Sequence, residues 1–154
     1  MVSPDENPRR ADVMAMVKAM RPDLKIVVVR DMVYEDYKTL VARAKWSLTF
    51  GEGLDAYFIE MACCGGVPFA VFNDRFFTEE FRDLPTVYPS WDAMIDDLPA
   101  ALQRIGREPQ FDETSAEIRR RLAKLYDFGK YQENLRLFYE KRYTFPVTRE
   151  DVRE

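Results

Sequence analysis

A chain of 154 residues fits one domain with a proper core, and 47% hydrophobic residues with 14% aromatics argue for a folded globule over a disordered tail. A net charge of -4 gives no support for nucleic-acid binding, and the absence of histidine excludes His-based acid–base chemistry and His-ligated metal. No apolar run approaches the roughly 20 residues that span a bilayer, and no charged n-region followed by an apolar h-region opens the chain. A cytoplasmic location with no membrane span and no signal peptide is therefore expected. The cysteines, Cys63 and Cys64, are adjacent in an expected helix and point in different directions. They are read as buried free thiols of a reducing compartment.

Met1 to Ser3 reads as the stub of a strand, and Pro4 to Pro8 as a turn whose second proline suits the start of a helix. The helix from Arg9 to Met20 places Val13, Met16, Val17 and Met20 on one face. Arg9 and Arg10 fall in its first turn, where cations oppose the helix dipole. Either an anion lies nearby or both are solvated surface charges. Leu24 to Val29 is a short apolar run rich in β-branched residues, the pattern of a strand buried on both faces. Tyr34 to Ala44 carries a helical stripe of Tyr37, Leu40, Val41 and Ala44, with Glu35 and Asp36 in the first turn.

The stretch from Trp46 to Phe72 carries the chemistry. It reads as a strand from Lys45 to Phe50, a Gly51-Glu52-Gly53 loop, a helix from about Asp55 to Cys64, a Gly65-Gly66 stop and a strand from Val67 to Phe72. Glu52 leaves the strand and Glu60 sits in the helix, so both carboxylates are expected to face a ligand lying over the helix N-terminus. Strands alternating with helices imply right-handed parallel crossovers. The expected fold is α/β, a Rossmann-like doubly wound parallel sheet with additional C-terminal helices, binding its ligand beyond the carboxyl ends of the strands.

Further on, a turn of helix is expected at Thr78 to Arg82, a short last strand at Pro85 to Tyr88, and a helix from Trp91 to Ile105 capped by Ser90 and kinked or divided at Pro99. Gly106 to Asp112 reads as a linker. Thr114 is the expected cap of a charged helix with Ile118, Leu122 and Leu125 inward, and Lys130 to Tyr143 reads as a further helix with Tyr131, Leu135 and Phe138 in line. The run Arg119 to Arg121 reads as a solvated face. The polar tail after Phe145 is expected to fray. Two regions follow: 1–106 as a Rossmann-like domain and 107–154 as a helical extension packed on it.

The residues FGEGLDAYFIEMACCGGVPFAV resemble the signature of retaining glycosyltransferases of the GT-B fold, in which a Glu and a second Glu are separated by seven residues. The matching positions are Glu52, Gly53, Leu54, Glu60, Met61, Ala62, Gly65 or Gly66, and Pro68. Flanking text in residues 4–105 is similar to the nucleotide-sugar-binding C-terminal domain of that family. The resemblance implies that Glu60 binds the ribose hydroxyls and that Glu52, as the catalytic residue, places the donor sugar. It also implies that the diphosphate lies at the helix N-terminus near Gly53, Leu54 and Asp55. An ionised carboxylate accepts only, so it can receive both protons of a vicinal diol. Arg9 or Arg10 would stand in for the family's phosphate-neutralising cations, its usual Lys being absent here. Asp55 stands where the family usually has Gly, and is expected to cap the helix through Tyr57 or Phe58 amides. Asn73-Asp74-Arg75 replaces a Gly-Gly pair near the sugar.

On this resemblance the chain is the donor half of a sugar-transferring enzyme, with a nucleotide-sugar as partner and no metal or other cofactor. It would be inactive without an N-terminal acceptor domain and open to self-association through the exposed cleft. Two other readings stand beside it. One is a non-catalytic interaction module that keeps the fold but not the ligand. The other is a receiver-type signalling domain, against which Thr49-Phe50 stands where a receiver needs an Asp.

Overall fold

The computed structural model describes residues 1–143, which divide into two compact units, Met1–Leu122 and a second beginning at Ala123. The first is a small α/β fold built on a three-stranded parallel sheet flanked by helices. Its elements are α1 (Arg10–Met20), α2 (Tyr34–Arg43), β1 (Trp46–Leu48), α3 (Ala56–Cys63), β2 (Val67–Val71), a 3-10 turn (Glu79–Phe81), β3 (Val87–Tyr88), α4 (Trp91–Ile105) and most of α5 (Gln110–Leu125). The second unit holds α6 (Phe128–Tyr139), capped by Asp127, which accepts from the Lys130 amide at 2.8 Å. The expectation for the tail after Phe145 lies outside the described residues.

β2 is central. Trp46, Ser47 and Leu48 of β1 pair with Val67, Pro68 and Phe69, while Ala70 and Val71 pair with Val87 and Tyr88. Beyond β1, Val2 makes isolated parallel bridges to both Leu48 and Val28. The expected strand from Leu24 to Val29 therefore contracts to a single bridge: Val2 donates to Val27 and accepts from Val29, both at 2.9 Å. Residues on either side of that bridge find no second neighbour, so the ladder stops there.

Alternation along β1 separates two helix layers. Trp46 packs edge-on against Phe111, and Phe50 stacks on Trp91 with ring centroids 5.2 Å apart. On the other face the Ser47 hydroxyl donates to the Tyr57 carbonyl at 3.0 Å. α1 packs on α4, and α2 on α3. Val13 and Val17 are buried as the stripe requires, whereas Met20 is exposed.

Local signals set several helix ends. The Ser90 hydroxyl accepts from the Ala93 amide at 3.1 Å, and α4 runs on through Pro99 without dividing. At the end of α3, Gly66 donates to Met61 and Gly65 to Ala62, at 3.0 and 3.1 Å, with Gly65 at φ 89°; this is a Schellman stop. α5 begins at Gln110, ahead of the expected Thr114 cap, so part of the expected linker is helix. Ser115, Ile118 and Leu122 of α5 are buried in the first unit, and the Ser115 hydroxyl donates to the Gly65 carbonyl at 2.9 Å. The first unit thus runs to Leu122 and takes in most of α5. Cys63 and Cys64 are free and exposed, not buried, because the apolar face of α3 is carried by Phe58, Met61 and Ala62. No helix among the described residues is long and apolar enough to cross a membrane.

Candidate functional site

The carboxyl ends of the strands open into a cleft of about 460 Å³ lined by Asn7, Gly51, Phe72, Asn73, Arg82 and Trp91, among others. Each wall follows from a strand end. Gly51 leaves β1, and its Cα is so close to Asp5 that a Cβ would meet that carboxylate at 2.9 Å. Asn7 closes the turn before α1 by accepting from the Arg9 amide at 2.9 Å and donating to the Phe50 carbonyl at 3.3 Å. Asn73 organises the loop after β2, where the amides of Phe76 and Phe77 both donate to its carbonyl.

Gly53 turns the chain into α3. It is buried, its φ is 94°, and a Cβ there would collide with the Phe77 ring and lie 3.0 Å from the Val71 carbonyl oxygen. Only glycine meets both conditions. Asp55 then caps α3 through the Phe58 amide, 3.0 Å away, and its other oxygen accepts from the Thr49 hydroxyl. Burial pushes its pKa above the ordinary carboxylate range, against the opposing hydrogen bonds from Thr49 and Phe58, with the Asp5 charge adding to the rise.

The residues singled out from the sequence are not gathered around one point. Glu52 is exposed on the loop and makes no hydrogen bond or ion pair among the described residues. Leu54 is half-buried against the core. Glu60 is half-buried in the second turn of α3 and lies beside the Tyr37 hydroxyl of α2. That hydroxyl is buried; among the described residues no group meets it in strict hydrogen-bonding geometry, and the Glu60 carboxylate is the acceptor it interacts with. Burial first, and the Glu60 carboxylate second, raise its pKa well above the usual phenol value. The Tyr37 and Tyr57 rings meet edge to face at 6.1 Å, extending this aromatic surface.

The expected phosphate-binding cations are engaged elsewhere. Arg10 donates to the carbonyls of Ser3 and Asp5 at 2.7 and 2.9 Å and lies 4.8 Å above the Phe50 ring, so it braces the turn after the first bridge. Arg9 pairs with Asp92 at 2.5 Å and with Asp12 at 3.4 Å. Sequence reasoning missed Arg82, the cation that does line the cleft. Its guanidinium sits 3.9 Å above the Phe72 ring and is held in a two-pronged pair with Glu79 at 2.7 and 2.8 Å. The i, i+3 spacing of Glu79 and Arg82 signals a helical ion pair but not a place in the cleft.

No protein-family model, no curated protein and no solved structure matches the chain.

Proposed function

We propose that the chain is the nucleotide-sugar-binding half of a glycosyltransferase, with Glu60 receiving the ribose hydroxyls. The observation that carries this reading is the pairing of Glu60 with Tyr37. Among the described residues Glu60 has no cation partner, and the buried Tyr37 hydroxyl, which no group meets in strict hydrogen-bonding geometry, interacts with the Glu60 carboxylate as its acceptor. Acceptor and donor side by side suit a vicinal diol, which offers two protons and two acceptor oxygens.

The finer fold belongs to the same reading. Counting the bridged residues around Val2 and Val28 as strands, the spatial order becomes 2-1-3-4-5, that of a doubly wound sheet. Receiver-type domains share this order, and Thr49-Phe50 at the end of the third strand sets this chain apart from them. On this reading Glu52, Gly53, Leu54 and Asp55 border the donor, and Arg82 is the cation nearest its phosphates. Transfer requires a second domain carrying the acceptor, and the open cleft supports self-association without it. A cytoplasmic location and a metal-free reaction go with the assignment.

The engagement of Arg9, Arg10 and Asp55 by protein groups favours a second reading, an interaction module that no longer binds donor. Titration of the chain with uridine, guanosine and adenosine diphosphates and their sugar conjugates, followed by amide NMR, separates the two. Donor binding shifts the amides around Tyr37 and Glu60, and Glu60→Gln abolishes the shifts. Silence with every nucleotide, from a protein whose spectrum is that of a folded chain, rejects the donor reading.

A further inference from the structure

A second opening lies at the opposite, amino edge of the sheet. It is a groove of about 850 Å³, within the size range of small-molecule sites. It exists because residues 24–27 leave α1 and line the edge without forming a ladder. Its floor is apolar and buried: Val17, Leu48, Phe69, Leu98 and Leu102. Met1, Met14 and Met32 also line it, and methionine is the side chain that adapts best to an irregular apolar guest.

The rim is predominantly cationic. Arg21, Lys25, Arg43, Lys45 and Arg107 border the groove against a single carboxylate, Asp36, in a chain whose overall charge is -4. Two of these cations are used by the fold. Arg21 pairs with Asp23 at 2.7 Å, and Lys45 donates to the Gly106 carbonyl at 2.8 Å while lying 4.7 Å above the Phe111 ring. Lys25, Arg43 and Arg107 are exposed and have no ion pair among the described residues. The C-terminal ends of α1, α2 and α4 meet at this edge, which explains why cations collect there. It does not explain why they surround an apolar hollow. An apolar floor beneath a cationic rim matches a molecule with an apolar chain and an anionic end.

We propose that this groove binds a single-chain anionic amphiphile, its alkyl or acyl chain over Leu48 and Phe69 and its carboxylate or phosphate head against Lys25, Arg43 and Arg107. The site is separate from the carboxyl-edge cleft, and the proposal does not depend on the donor-binding reading.

The probe is monomeric dodecanoate, titrated into the full chain by calorimetry and mapped by NMR, with dodecanol as the uncharged equivalent. The expected result is saturable one-to-one binding that shifts Leu48, Phe69 and Leu98. Dodecanol should bind about tenfold more weakly or worse, because a charge-assisted hydrogen bond to the head is lost. Replacing Lys25, Arg43 and Arg107 together by alanine should weaken dodecanoate by a similar factor and leave dodecanol unchanged. All three side chains are exposed, so the variant keeps its fold, which circular dichroism checks. Absence of saturable dodecanoate binding, equal affinity for the alcohol, or an unaffected triple variant overturns the proposal. So does sedimentation with anionic phospholipid vesicles in the absence of binding to the free amphiphile, which would identify a membrane-facing surface instead.

Discussion

Thr49 and Asp55 are tied across the loop that carries the candidate site: the Thr49 hydroxyl donates to one Asp55 oxygen while the other accepts from the Phe58 amide. One carboxylate thus joins the end of β1 to the first turn of α3. Asp55→Ala removes the cap and strands the Thr49 hydroxyl, which is expected to cost about 1–2 kcal/mol in chemical denaturation. Asp55→Asn keeps an acceptor for Phe58 and should cost much less. A loss on Asp55→Asn as large as on Asp55→Ala would show that the negative charge, not the cap, holds the loop.

The same carboxylate gives stability a pH dependence. Burial raises its folded-state pKa, so the folded protein holds a proton where the unfolded chain has already released it. Its contribution is present below the ordinary carboxylate range and is lost as pH rises through the elevated folded value. Unfolding measured from pH 4 upward should show stability falling across that window from this group, and Asp55→Asn should flatten that part of the profile. An unchanged slope in the variant would assign the dependence to other groups.

Gly53 and Gly65 both have positive φ, but only Gly53 is crowded. Gly65→Ala meets nothing within 4 Å among the described residues and carries only the backbone penalty, about 1–2 kcal/mol. Gly53→Ala adds a collision with Phe77 and contact with the Val71 carbonyl, for a total of about 2–4 kcal/mol. Thermal melts of the two variants should keep that order. The reverse order would mean that the loop before α3 relaxes freely, and with it the placement of Glu52.

How much of this was legible depended on the range of the interactions involved. The Asp55 and Ser90 caps and the Gly65-Gly66 stop act within one turn, and their residues signal them directly. The expected strand from Leu24 to Val29 shrank to a bridge because a strand needs neighbours that its own composition cannot guarantee. Thr114 was a reasonable cap by type, yet α5 starts earlier, where Phe111 reaches Trp46 and Ser115 reaches Gly65. Those contacts span 65 and 50 positions, and no local pattern encodes them. Residue type singled out Glu60, whereas the buried Tyr37 hydroxyl beside it belongs to a different helix, and no local pattern links the two. Arginine type likewise suggested Arg9 and Arg10, which the fold had already engaged.

Because α5 packs Ser115, Ile118 and Leu122 into the first unit, while Leu125, expected inward with them, is exposed, Ile118 should behave as a core residue of the sheet domain. It is fully buried, and Ile118→Ala is expected to cost about 2–5 kcal/mol. Exchange of the Leu48 and Phe69 amides, read by NMR, should accelerate by the corresponding factor. Were α5 a separate appendage, those amides would keep their protection.

Cys63 and Cys64 offer a test that needs no ligand. Both are exposed, so both should react with an aromatic disulfide reagent in the absence of denaturant. Partial desolvation of the otherwise exposed Cys63, then the neighbouring Cys64 and Glu60, raise its pKa above the ordinary thiol value. Its rate at neutral pH should therefore be slow and climb steeply with pH, since the thiolate is the nucleophile. Failure of either thiol to react until the protein unfolds would contradict the packing of α3.

Tyr37 separates a structural hydroxyl from a binding one. If the Tyr37 hydroxyl gains nothing from Glu60 in the free protein, Tyr37→Phe should be neutral or stabilising by up to about 1 kcal/mol. Its ring still packs edge to face on Tyr57, and the α2–α3 contact is kept. If the hydroxyl and Glu60 jointly receive a diol, the same substitution weakens nucleotide binding while leaving the fold untouched. The donor-binding reading requires both halves of that result together. Destabilisation by Tyr37→Phe would mean that the hydroxyl is already satisfied in the free protein, and the argument from an unmet hydrogen bond would be lost.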